Sequence, residues 1–82
     1  MTTDETKERI YSFLSKYLRE TSLEDETDLF ASGLLNSLFA MELVLFVEEQ
    51  FKIIVENEDL DLDNFLSIQA IVSFIERKRD KL

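Results

Sequence analysis

The chain of 82 residues contains a single glycine, Gly33, and no proline, and this pair of facts constrains its fold more than any other feature. Glycine and proline are the residues that most often interrupt helices, so a chain with almost none of them favours helices joined by few tight turns. A composition rich in Leu, Glu, Lys and Phe favours helices as well. We therefore predict an all-α fold, with a break in regular structure near Gly33.

Three segments have helical periodicity. Over residues 3–19, apolar side chains recur three and four positions apart, and Thr2 with Glu5 forms a predicted capping box in front of them. The second predicted helix covers residues 37–51 and the third covers residues 67–79. The basic C-terminal end of the third helix suits the negative pole of the helix dipole.

The remaining segments predict loops and one short element. Residues 20–36 form a long acidic connection whose apolar anchors are Leu23, Leu29, Phe30, Leu34 and Leu35. Residues 53–55 are interpreted as a packed loop, and residues 60–65 as a short helix or turn. Together these elements predict one domain over residues 1–82, a small bundle of three main helices plus one short helix.

Charge is unevenly distributed along the chain. The net charge is −9, while residues 20–66 alone hold 13 acidic residues and the single base Lys52. We therefore expect no nucleic-acid or membrane partner and favour a basic protein partner. The sequence has no apolar stretch near the 20 or so residues of a membrane span and no signal-peptide pattern, so we expect a cytoplasmic protein.

Catalytic and metal-binding side chains are scarce. Cysteine and histidine are both absent, which excludes a thiol nucleophile, an imidazole base and a His/Cys metal site. An EF-hand loop starting at Asp59 would need glycine and glutamate where Asn64 and Ala70 stand. We therefore expect neither an enzyme nor a metal site, and the one catalytic alternative that the composition leaves open is a site built from carboxylates alone.

The second predicted helix is apolar on two faces. One stripe is expected in the core, formed by Ala40, Leu43, Val44, Val47 and Phe51. The opposite side contains Leu38, Met41 and Leu45, bordered by Glu42, Glu48 and Glu49. An apolar face rimmed with carboxylates indicates a docking surface for a partner protein. The alternative is that the three apolar residues pack under the long connection.

Ser37 follows the glycine-containing break and begins the second helix. A hydroxyl at this position would be exposed beside free backbone N–H groups, which favour an attached anion. The alternative is that Ser37 is only the N-cap of the helix, since serine and asparagine are both favoured there.

The wider pattern resembles the acyl and peptidyl carrier proteins. It consists of Gly33 and Asn36-Ser37-Leu38, then Glu42-Leu43-Val44 and Glu48-Glu49 with Phe51, and Ile68-Gln69-Ala70 in the last helix. The resemblance covers nearly the whole chain. It implies that Ser37 bears a phosphopantetheine group installed from coenzyme A by a phosphopantetheinyl transferase. Acyl or aminoacyl cargo would then be carried as a thioester on this arm.

The resemblance also implies partners. They are an acyl-loading enzyme, either an adenylating ligase or an acyltransferase, and downstream synthases or modifying enzymes that act on a monomeric carrier. Within the family, the chain is most similar to discrete carriers of polyketide, nonribosomal and related natural-product pathways, notably those of unusual malonyl-type extender units, with D-alanyl carriers next.

Two residues depart from the family pattern. Asn36 stands where the family usually has aspartate, which removes one negative charge beside Ser37. Phe39 stands where many carriers have a polar residue, either as an added apolar contact or as a loop-packing residue. The competing functional hypothesis is an unmodified acidic helical adaptor that binds a basic partner.

Overall fold

The computed structural model describes residues 2–19, 23–33 and 35–80. These residues contain three α-helices and no strand: α1 spans Thr3–Leu18, α2 spans Ser37–Phe51 and α3 spans Ile68–Asp80. The prediction of an all-helical fold with three main helices is therefore confirmed. In place of one short helix over 60–65, the structure has two single 3₁₀ turns, Asn57–Asp59 and Leu62–Asn64.

Local sequence signals explain where the helices begin and end. Thr2 and Glu5 form the predicted capping box at the start of α1, and the Ser67 hydroxyl accepts a hydrogen bond from the Ala70 N–H at the start of α3. Arg19 and Lys52 end α1 and α2 in the left-handed conformation, with φ of 54° and 56°. Both helices therefore end without the glycine that usually occupies this position.

The core is formed by one face of each helix and by apolar residues of the connections. Ile10 and Leu14 of α1 and Leu43 and Val47 of α2 belong to one hydrophobic cluster, and all four side chains are fully buried. The contribution of α3 is the largest, with Ile68, Ile71, Val72, Phe74 and Ile75. The predicted apolar stripe of α2 is buried except for Ala40, which is half-buried. In α1 the predicted stripe is only partly buried, because Tyr17 at its C-terminal end is 56% exposed.

The acidic connection is tied to the start of α3. The Leu29 N–H donates to the Leu66 carbonyl at 2.8 Å, and the Gln69 N–H donates to the Asp25 carbonyl at 2.9 Å. Of the predicted anchors, Leu23, Leu29 and Leu35 are buried and Phe30 is half-buried, while Leu34 lies outside the described residues. These bonds hold the segment that leads into α2.

Within residues 2–19, 23–33 and 35–80, no helix is long and apolar enough to cross a membrane. In the same ranges, no group of three or more acidic side chains converges as potential metal ligands. Of the acidic residues in the segment 58–63, Glu58, Asp61 and Asp63 are exposed. Asp59 forms an ion pair with Lys78 of α3.

Candidate functional site

The segment before α2 is a turn that requires its glycine. The Asp28 Oδ1 accepts hydrogen bonds from the Phe30 and Ala31 N–H groups, at 3.1 and 2.9 Å. The Gly33 N–H then donates to the Phe30 carbonyl, and Gly33 itself has φ of 81°. L-residues avoid this left-handed region. The only glycine in the sequence therefore lies where the chain turns toward α2.

Asn36, and not Ser37, is the N-cap of α2. The Asn36 Oδ1 accepts a hydrogen bond from the Phe39 N–H at 2.9 Å, and the Asn36 carbonyl accepts one from the Ala40 N–H at 2.8 Å. Asn36 has the extended backbone typical of a cap, with φ of −125° and ψ of 176°. The interpretation of Ser37 as a cap is therefore wrong, and Ser37 is the first residue of the helix.

Ser37 is exposed at this helix end. The cap bonds satisfy the amides of Phe39 and Ala40, whereas the amides of Ser37 and Leu38 are among those that a helix cannot pair internally. The first turn of α2 contains no acidic side chain. An anion attached to the Ser37 hydroxyl would therefore lie near unpaired N–H groups and the positive end of the dipole, without a carboxylate from that turn to repel it.

Ser37 is one of the residues that line an open groove of about 290 Å³. We call it the Ser37 groove. One wall comes from α2 and the other from residues 60–62, and Phe30 and Phe65 contribute to its lining. The side chains around it are mainly apolar, so it can shelter an apolar group linked to Ser37.

The face of α2 opposite the core is exposed. Leu38, Met41 and Leu45 are 79%, 53% and 57% exposed, and Glu42 and Glu49 are exposed beside them. We call these five residues the recognition face. The alternative that Leu38, Met41 and Leu45 are covered by the acidic connection is therefore wrong, because all three side chains are more than half exposed.

Glu48 differs from the other residues predicted on this surface. It is half-buried, and its Oε2 accepts a hydrogen bond from the Val55 N–H at 2.9 Å. This bond crosses the chain reversal after α2, so the Glu48 carboxylate connects the helix to the loop that follows. Nothing in the sequence pattern distinguished it from Glu49.

Phe39 belongs to an aromatic cluster between α1 and α2. Its ring lies 5.2 Å from the Tyr17 ring and 5.8 Å from the Phe13 ring, measured between centroids. Phe46 stacks on Phe13 at 4.0 Å. Phe39 therefore packs against α1. Sequence reasoning missed this cluster, although residues 39 and 46 are seven apart and lie on the same face of a helix.

The described residues form a small helical domain with an exposed serine at the N-terminal end of α2. The sequence model of the family described as phosphopantetheine attachment site matches residues 8–75. The match covers more than half of the chain, and the chain belongs to this family. No curated protein sequence matches the chain significantly.

Membership in the family establishes the general function. The protein is a carrier that uses a covalently attached phosphopantetheine group, and it is not an enzyme. Carrier domains of this family function together with transferases and modifying enzymes. The residues around Ser37 fit such a group, because its phosphodiester would meet unpaired amides and its arm would start beside an apolar groove.

Proposed function

We propose that Ser37 is the residue to which phosphopantetheine is attached, and that residues 1–82 form one carrier domain. The observation that supports this most is the Asn36 cap, because it frees the Ser37 hydroxyl from capping and leaves it exposed at the helix end. When bound, the group supplies the thiol that the chain lacks, and cargo is held on it as a thioester. The chain contributes an accessible hydroxyl, nearby amide donors and an adjoining groove.

The first experiment measures the intact mass of the protein after incubation with coenzyme A and a broad-specificity phosphopantetheinyl transferase. We expect the wild type to gain one phosphopantetheine group and Ser37→Ala to gain none. Ser32→Ala is the matched control, since Ser32 is also exposed and precedes Gly33, and it should be modified like the wild type. An unmodified wild type would favour the acidic adaptor, and an equally modified Ser37→Ala would move the site elsewhere.

The recognition face is proposed as the docking surface for the transferase, the loading enzyme and the later enzymes. Leu38, Met41 and Leu45 offer apolar contacts, and Glu42 and Glu49 offer negative charge to a basic partner. Glu48 contributes to the negative potential, while its carboxylate is bonded to the Val55 N–H. A monomer is proposed because a pairing of two copies through this face would hide it from partners.

The docking proposal is tested by the rate of Ser37 modification. Glu42→Lys and Glu49→Lys should each lower kcat/KM of the transferase by about tenfold, because rim charges control the rate of association. Glu8→Lys makes the same charge change on an exposed position of α1 and should leave kcat/KM nearly unchanged. Equal losses in all three variants would show that only the net charge matters.

The cargo is proposed to be an acyl or aminoacyl group of a natural-product pathway, with malonyl-type extender units first among the candidates. This rests on the similarity of Asn36-Ser37-Leu38 and the following helix to discrete carriers of that kind. The apolar lining of the Ser37 groove is compatible with an acyl chain. Loading assays with a series of acyl coenzyme A donors and with adenylating ligases plus free acids would distinguish these cargo classes by mass.

A further inference from the structure

Residues 54–64, which we call the flap, have no buried side chain. The residues that flank the flap are in the core, with Ile53 3% exposed and Phe65 5% exposed. Between them, Leu60 and Leu62 are about half exposed. Val55 is the one flap residue among the half-buried apolar side chains that pack against the core. The hydrophobic contact between the flap and the core is therefore small, and segments of this kind open at low free-energy cost unless other contacts hold them.

Polar contacts from α3 hold the flap in place. The Lys78 Nζ lies 2.7 Å from Asp59 Oδ2 and 3.8 Å from Glu56 Oε1. The Lys78 and Asp59 side chains are each only 19% exposed, so this pair is better shielded from water than an ordinary surface ion pair. A second contact joins Arg77 Nη2 to Asn64 Oδ1 at 2.8 Å.

Asp59 is also hydrogen-bonded to other residues of the flap. Its backbone carbonyl accepts a hydrogen bond from Asn64 Nδ2 at 2.9 Å, and its Oδ2 accepts one from the Glu56 N–H at 3.0 Å. Asp59 thus connects both 3₁₀ turns of the flap to Lys78. A change at Lys78 would therefore act on the whole segment and not on one side chain.

The flap forms one wall of the Ser37 groove. Leu60, Asp61 and Leu62 line it together with Ser37, Ala40 and Met41 of α2. Lys78 does not line the groove. Its contact with Asp59 nevertheless fixes the segment on which this wall is built.

We propose that Lys78 is a positioning residue that holds the flap against α2, and that it thereby sets the width of the Ser37 groove and the size of cargo that fits there. The effect of Lys78 on cargo size rests on the proposed attachment of phosphopantetheine at Ser37. The effect of Lys78 on the position of the flap does not depend on that attachment. Removal of the Lys78 charge would leave Glu56, Glu58 and Asp59 facing one another without this cation. The pKa of Glu58 is already raised, first by its hydrogen bond to Glu56 and then by repulsion from that carboxylate.

The role of Lys78 in holding the flap is tested by amide hydrogen exchange, measured on the protein without phosphopantetheine. Lys78→Met keeps the apolar stem and removes the charge, so exchange in residues 57–64 should accelerate by about tenfold or more. The core amides of α1 should keep their wild-type rates, and Lys78→Arg should restore slow exchange. Lys7→Met is the matched control, because Lys7 pairs with Asp25 at 2.6 Å in a different part of the molecule, and it should leave residues 57–64 unchanged.

Three outcomes would overturn the role of Lys78 in the flap: unchanged exchange in residues 57–64, an equal acceleration at all amides, or failure of Lys78→Arg to restore protection. If Lys78→Met does not fold, Asp59→Asn removes the same ion pair from the other side. This variant is judged by the first two outcomes, unchanged exchange in residues 57–64 or an equal acceleration at all amides.

The effect of Lys78 on cargo size is tested with phosphopantetheinylated protein that is loaded with acyl chains of increasing length. The rate of thioester cleavage by hydroxylamine reports how well each chain is sheltered. We expect the chain length with the slowest cleavage to shift upward in Lys78→Met. Identical profiles in the two proteins would overturn the cargo statement. If the wild type accepts no phosphopantetheine, the proposed function fails, while the exchange measurement still decides the role of Lys78.

Discussion

The carboxamide oxygen of Asn36 accepts a hydrogen bond from the backbone N–H of Phe39 at 2.9 Å. This bond gives α2 a neutral cap one residue before Ser37. Where a serine caps a helix, its hydroxyl is used to satisfy a backbone N–H. Here the asparagine does so, and the exposed hydroxyl of Ser37 is left available for a covalent bond.

The first prediction concerns this cap. Asn36→Ala should lower the free energy of unfolding by about 1 kcal/mol, because one N–H at the start of α2 loses its acceptor. Asn36→Asp keeps the acceptor and adds a negative charge at the positive end of the dipole, so it should raise stability by about 0.3–1 kcal/mol. Urea denaturation measures both changes. A loss of stability in Ser37→Ala but not in Asn36→Ala would contradict the assignment of the cap.

The second prediction concerns Gly33 and Lys52, two residues whose backbone is in the left-handed conformation. Gly33 has φ of 81°, and apart from its two chain neighbours no residue has an atom within 4 Å of the place that a Cβ would occupy, so Gly33→Ala should cost about 1 kcal/mol through backbone strain and not through a clash. Lys52 has φ of 56° without being glycine, and Lys52→Gly should stabilise by about 0.5–1 kcal/mol. Lys52→Ala removes the charge and keeps the strain, so it separates the two effects in thermal unfolding. A gain in Lys52→Ala equal to that in Lys52→Gly would contradict the strain explanation.

The third prediction compares two leucines of α2. Leu43 is fully buried, whereas Leu45 is 57% exposed on the recognition face. Leu43→Ala should therefore lower the free energy of unfolding by about 2–5 kcal/mol, and Leu45→Ala should change it by less than about 0.5 kcal/mol. Chemical denaturation of the two variants provides the test. Comparable losses would mean that α2 presents a different face to the core.

The fourth prediction concerns alkaline pH. Hydrogen bonds to Asp25 and Asp59 raise the pKa values of Lys7 and Lys78 above the ordinary value of 10.5. A raised pKa in the folded state means that the stabilisation is fully present below about pH 10.5 and is lost as the pH rises through the folded values. The difference in Tm between wild type and Lys78→Met should stay constant from neutral pH to that point and then shrink. A constant difference at higher pH would show that the ion pair contributes nothing to stability.

The helices and the core could be predicted from the sequence because they depend on local periodicity. The capping box at Thr2, the start of α2 at Ser37 and the exposure of Leu38 all follow from spacing along a single helix. The neighbours of Phe39 could not be predicted in the same way. Its position falls between two faces of α2, and only the placement of α1 decides which side it contacts.

Contacts between residues far apart in the chain could not be predicted from the periodicity and motifs of the sequence. Lys78 and Asp59 are 19 residues apart, and nothing distinguishes this lysine from its basic neighbours until α3 and the flap are placed together. Glu48 reaches Val55 because the chain reverses at Lys52 in a left-handed conformation that non-glycine residues seldom adopt. The Ser37 groove has the same origin, since its two walls come from α2 and from residues 60–62.

The central claim is that Ser37 bears the phosphopantetheine group, and its most direct test is fragmentation mass spectrometry of the modified protein. Trypsin cleaves after lysine and arginine, so it should release residues 20–52 as one peptide that contains Ser22, Ser32 and Ser37. Fragmentation of this peptide assigns the added mass to one of the three. We predict that the group is found on Ser37 alone. A group on Ser22 or Ser32, or a peptide without the added mass, would contradict the claim.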